Sequence, residues 1–158
     1  MNFSDPEVAR RLILASHDVA LEAMKSGHHP FGAVLAGPDG EVLMSQGNES
    51  TVRHAETQLA RRAFETYDQD FLWQCCLATN FEPCAMCAGT IYWANIGNVL
   101  FGAKEIKLLE LTGNHPENPT LTLPCRSIFA AGQKDIHVLG PYPELEDTLV
   151  APHLEFWK

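Results

Sequence analysis

Apolar residues recur at helical spacing from Val8 through Leu12, Ala15 and Val19 to Ala23, and Gly27 supplies a stop. Ser4-Asp5-Pro6-Glu7 reads as the start of that helix, with Ser4 as cap and Glu7 three residues on, as in a capping box. Phe31 to Ala36 is a short apolar run, Pro38-Asp39-Gly40 a turn, and Glu41 to Gln46 a return strand, so residues 31–46 predict a hairpin. Ala55 to Tyr67 is helical by pattern, and 68–73 is a polar link. Cys75 to Phe81 predicts a strand buried on both faces, which makes Cys75 and Cys76 small core residues. Pro83 breaks that strand, and Cys84 to Ala94 predicts the next helix. Asn98 to Ala103 reads as a strand. The pattern weakens from Lys104 to Pro124, and residues 114–119 read as a loop. Arg126 to Ala131 carries one or two helical turns, Asp135 to Leu139 the last strand, and Glu144 to Phe156 the last helix.

Strands and helices alternate after the hairpin, which predicts a mostly parallel sheet flanked by helices. The chain has 158 residues, the length of one ordinary domain, and 46% are hydrophobic, enough for a core. A single domain over 1–158 is expected.

Charge narrows the partners. The formal net charge is −9, and the 11 Lys and Arg are dispersed, with Arg10-Arg11 and Arg61-Arg62 the densest groups. A phosphate backbone is repelled by such a surface, so a nucleic-acid partner is not expected. No apolar run approaches the roughly 20 residues of a membrane span, and the N-terminus lacks a secretory pattern. A cytoplasmic protein without a membrane partner is the expectation. The five Cys include the adjacent pair Cys75-Cys76 and an odd one, Cys125, which does not read as a disulfide framework.

The chemistry gathers in two stretches, His54-Ala55-Glu56 and Pro83-Cys84-Ala85-Met86-Cys87. A Cys-x-x-Cys alone fits a redox pair or half of a structural zinc site. At i and i+3 of a helix start, however, two sulfurs face the same way, and the free N–H groups there favour thiolate. Pro83 suits the first turn. With His54 as third ligand, a zinc site keeps its fourth position open for water. Glu56, two residues after His54, can place a carboxylate beside the metal and move protons.

His-x-Glu followed by Pro-Cys-x-x-Cys is the zinc deaminase signature. Through these residues, with Pro30-Phe31-Gly32-Ala33, Gly47-Asn48, Glu82-Pro83-Cys84 and 88–94, the chain resembles the cytidine deaminase-like superfamily over about residues 5 to 104. It is most similar to the branch of guanine deaminases, tRNA adenosine deaminases and fungal-type cytosine deaminases. The resemblance implies a three-layer α/β/α fold with a five-stranded mixed sheet and helices on both faces. It implies one Zn²⁺ held by His54, Cys84 and Cys87, attack by a zinc-bound hydroxide on the amidine carbon, and Glu56 as proton shuttle. It implies that Asn48, the Ala55 backbone, Phe31 and Glu82 backbone groups contact the base, and that the protein forms a homodimer. A free purine-type, guanine-like base or nucleoside is the leading substrate. The alternatives are a tRNA wobble adenosine, a cytosine-type pyrimidine, or a non-catalytic zinc-stabilised binding protein.

The segment after Ala103 departs from these relatives. Guanine deaminases carry an acidic pair there, whereas an ungapped count puts Asn114 and His115 at those positions. Asn114 and His115 are candidate pocket residues, with a loop role as the alternative. Trp93 is a candidate wall residue or core residue, and Phe156 and Trp157 are candidates for an aromatic lid.

Overall fold

The computed structural model describes residues 2–113 and 115–157. Its elements run α1 (Pro6–Lys25), β1 (Gly32–Ala36), β2 (Val42–Gly47), α2 (Ala55–Thr66), α3 (Gln69–Trp73), β3 (Cys76–Phe81), α4 (Ala85–Ala94), β4 (Asn98–Ala103), α5 (Glu105–Thr112), α6 (Cys125–Ala130), β5 (His137–Leu139) and α7 (Glu146–Phe156), with a 3₁₀ turn at Pro143–Leu145 before α7. Asn114 lies outside the described residues.

The sheet order is β2-β1-β3-β4-β5. β1 runs antiparallel to both β2 and β3, while β3, β4 and β5 pair in parallel. The alternation of strands and helices held from β2 onward: β2 to β5 share one direction, and β1 alone is reversed. The hairpin folds β2 to the outside of β1, and α2 carries the chain over β1 to β3, so β3 keeps the direction of β2.

Strand side chains alternate between two apolar layers. Leu35, Leu77, Val99 and Phe101 pack with Leu59, Ala63, Ile91 and Phe129 from α2, α4 and α6. Val34, Ala78 and Leu100 pack on the other face with Leu12, Ile13, Leu108 and Leu149 from α1, α5 and α7. Cys75 and Cys76 are buried core residues as expected.

Several local expectations change. The cap of α1 is Asp5, which accepts the Glu7 N–H at 2.9 Å, and not Ser4. Pro6 takes the first helical position and holds the residue before it extended, which is the conformation of a cap. The polar link contains the short helix α3, because Asp68 accepts the Phe71 N–H at 2.9 Å and caps it. The weakly patterned region after β4 opens with the two-turn helix α5.

Candidate active site

The two chemical stretches sit where two helices begin. His54 is the N-cap residue of α2, with extended backbone, so its ring projects beyond the first turn. Cys84 is the N-cap residue of α4 and Cys87 lies in its first turn. Pro83 therefore precedes the cap rather than entering the first turn, and it ends β3. The packing of α2 against α4 through Leu59, Ala63, Ala88 and Ile91 aligns the two helix starts.

The Cys84 and Cys87 sulfurs lie 3.6 Å apart, and His54 Nδ1 is 3.5 Å from Cys84 Sγ and 3.4 Å from Cys87 Sγ. A tetrahedral zinc, with sulfur at about 2.3 Å and nitrogen at about 2.0–2.1 Å, separates two sulfurs by about 3.8 Å and sulfur from nitrogen by about 3.6 Å. The triad matches three corners of that tetrahedron to within roughly 0.2 Å. His54, Cys84 and Cys87 are thus positioned to bind one metal ion. Thr57 Oγ1 donates to Cys87 Sγ at 3.2 Å from the buried side of α2.

Ionisation in the triad follows from crowding. Hydrogen bonds from Cys87 and His54, working against burial, lower the Cys84 pKa to about 4. Cys87 is raised, because it shares its proton with Cys84 and is buried. The hydrogen bond to Cys84 raises His54. Glu56 is 7% exposed at the start of α2. Burial pushes its pKa up to about 7 against the pull of His54. A carboxyl held near neutrality can both take and return a proton.

The triad opens into a cavity of about 290 Å³ whose walls include His29, Phe31, Asn48, Glu56, Phe81, Glu82, Glu105, Leu108 and residues 117–121. Its charged walls, among the described residues, are carboxyls and imidazoles, with neither lysine nor arginine.

Phe31, Asn48 and Glu82 all reach this wall. The Asn48 N–H donates to the Phe31 carbonyl at 3.1 Å, while the Asn48 side-chain amide is at the cavity wall without a hydrogen-bond partner among the described residues. The Glu82 carboxyl is a tie within the protein. Its oxygens accept the Glu105 N–H at 3.1 Å and the Cys125 N–H at 3.0 Å. The Glu82 N–H is itself taken by the Ala103 carbonyl at 2.7 Å.

Other candidates lie elsewhere. Ala55, the first residue of α2, is fully buried and is not a wall residue. Trp93 is 76% exposed near the far end of α4, so it is neither wall nor core. The helix turns it away from the sheet, and it stands beside the exposed Phe64 of α2. Phe156 and Trp157 do not line the cavity. Their rings stand behind its wall, 5.5 Å and 4.6 Å from His29. His115 packs 5.2 Å from Trp157 and is also outside the wall.

Glu105, His29 and 117–121 are wall residues that the pattern of the chain did not single out. Glu105 had a usable signal: ligands of parallel sheets bind beyond the carboxyl ends of strands, and it lies two residues past β4. The 117–121 segment carried no such signal.

A three-layer α/β/α sheet holding an open His-Cys-Cys triad beside a buried glutamate defines a single-zinc hydrolase centre. The profile of the cytidine and deoxycytidylate deaminase zinc-binding region matches residues 6–103. The chain is 37% identical over 143 residues to a probable cytosine deaminase of Schizosaccharomyces pombe, covering 88% of this chain and 86% of that one. It is 34% identical to the guanine deaminase of Bacillus subtilis, over 58% of this chain and 62% of the relative. The solved guanine deaminase of Nitrosomonas europaea superposes with a TM-score of 0.70 at 19% identity, covering 92% and 82% of the two chains, which shows the shared fold. The chain belongs to the cytidine and deoxycytidylate deaminase zinc-binding family, and it is a zinc-dependent deaminase. Among the described residues no helix is long and apolar enough to cross a membrane.

Proposed function

We propose that this deaminase acts on a small, unphosphorylated amino-heterocycle, a nucleobase or its nucleoside. The observation that carries this reading is the cavity wall, with Glu56, Glu82, Glu105 and Glu117 and, among the described residues, neither lysine nor arginine to hold a phosphate. Its volume lies at the low end for ligand pockets and suits a single ring. Within that class a cytosine-type pyrimidine takes precedence over the guanine-type purine expected from the motifs. The similarity to the probable cytosine deaminase runs through 88% of the chain, whereas that to guanine deaminase covers 58%. The same wall and the net charge of −9 speak against a tRNA substrate.

His54, Cys84 and Cys87 hold the zinc, and when bound it acts as a Lewis acid that lowers the pKa of water. Glu56 takes one proton from the attacking water and delivers it to the ring nitrogen, then takes the second from the new hydroxyl on the ring carbon and delivers it to the departing amino nitrogen. A C–O bond forms, the C–N bond breaks, and ammonia leaves. The side-chain amide of Asn48 at the cavity wall orients the base edge, and Phe31 packs on the ring.

Ammonia release from zinc-loaded protein tests the reading over cytosine, isocytosine, guanine, adenine and their nucleosides and nucleotides. Turnover of a base or nucleoside is expected, and Glu56→Ala should keep zinc while losing about 10²–10⁴ in rate. Activity confined to phosphorylated substrates, or full turnover by Glu56→Ala, would overturn it.

A further inference from the structure

Glu105 is a buried carboxyl that the fold itself leaves unused. The residue is 6% exposed, and among the described residues its Oε1 has no hydrogen-bond partner. Among the described residues no basic side chain pairs with it. A buried polar group without a partner is costly, commonly by more than a hydrogen bond returns. The sheet places it deliberately close to the metal triad. Phe81 of β3 is paired in parallel with Ala103 of β4. Cys84 lies three residues past Phe81 and Glu105 two past Ala103, so both leave the same end of the sheet side by side. The Glu105 backbone N–H is fixed by Glu82 at 3.1 Å, which sets where its side chain enters the cavity wall.

We propose that Glu105 is a specificity-determining residue whose carboxyl accepts a hydrogen bond from a ring N–H of the substrate. The site thereby selects a free base over the same ring substituted at that nitrogen, as in a nucleoside. The inference rests on the amino-heterocycle reading above and narrows it. A site built to pair with an N–H rejects an analogue lacking it, because the buried group is left without a partner. Burial, reinforced by the negative charges of Cys84, Glu82 and Glu56, already pushes the Glu105 pKa up to about 9, so this carboxyl is short of favourable partners within the protein.

The test compares cytosine with 1-methylcytosine, and guanine with 9-methylguanine, on zinc-loaded protein carrying Glu105 or the variant Glu105→Leu. Binding is measured by calorimetry in the Glu56→Ala background, and turnover by ammonia release with Glu56 intact. With Glu105, the unmethylated base of at least one pair should bind about ten- to hundred-fold tighter. With Glu105→Leu, which fills a similar volume, the preference should fall to near one while zinc content is unchanged and the melting temperature is equal or higher. A preference that survives in Glu105→Leu, or a melting temperature that falls while the preference stays, overturns the proposal. So does the absence of binding by any of the four bases. If Glu105→Leu does not fold, Glu105→Ala carries the same comparison. A preference lost with Glu105 in the binding arm, with no turnover of any base, would refute the deaminase substrate class alone.

Discussion

Thr57 offers the sharpest check on the metal centre, because it touches the triad through a single bond. Its Oγ1 donates to Cys87 Sγ at 3.2 Å, and the side chain is 2% exposed. Zinc requires both cysteines as thiolates, and a hydrogen bond to a charged group contributes about 1.5–3 kcal/mol. Thr57→Val keeps the shape and removes the donor. At about 1.4 kcal/mol per tenfold, zinc affinity should fall by about ten- to hundred-fold, the range found for partners that support metal ligands. Thr57→Ser should retain most of it. Titration against a chelating zinc indicator at pH 7 reads the constant directly, and the melting temperature of the metal-free protein reports on packing. Zinc affinity within about twofold of the parent for Thr57→Val, with the fold intact, would refute the argument that this hydroxyl supports the thiolate.

Two further outcomes follow from groups away from the metal. His153 is buried at 2% exposure, accepts the Trp157 Nε1–H at 3.0 Å, and has its pKa lowered by burial from 6.5 to about 4. The unfolded chain therefore binds the extra proton between about pH 6.5 and 4, so this stabilisation is complete above 6.5 and is lost as pH falls through that window. The loss amounts to about 3 kcal/mol in total, and urea midpoints of the parent minus those of His153→Leu should show it; a pH-independent difference would count against it. Glu82→Ala should lower stability by about 3 kcal/mol, since it orphans the buried Glu105 and Cys125 N–H groups, and thermal melting unchanged within a degree would show that the tie does not matter.

The sequence displayed the metal centre better than the pocket, for a physical reason. His54, Cys84 and Cys87 must obey fixed spacing at two helix starts, and such constraints survive in the linear pattern. The strands β1, β3 and β4 were equally legible, because their residues are almost entirely buried and hence mostly apolar, with Thr79, Asn80 and Asn98 as the polar exceptions. The reversal of β1 was not, since pairing direction depends on where α2 carries the chain and leaves no periodic trace. Glu105 looked like any helix-start glutamate until the Phe81–Ala103 register placed it beside Cys84. Residues 117–121 reach the cavity through the path of a loop, which no local rule specifies. Trp93, by contrast, misled: a large aromatic in an apolar helix suggested burial, but the helix faces the other way.

One carboxylate has a consequence for how such a chain can diversify. Glu82 grips the first residue of α5 and the first residue of α6, so the stretch from Glu105 to Cys125 leaves and returns to a common anchor. Closing a longer loop between fixed ends adds only about 0.6 kcal/mol per doubling of its length. The interior of that stretch, which supplies one side of the cavity, can therefore be lengthened, shortened or exchanged while the triad stays in register. The metal triad and this side of the cavity wall are held by different pieces of chain joined at a single side chain, so that side of the wall can change without rebuilding the triad.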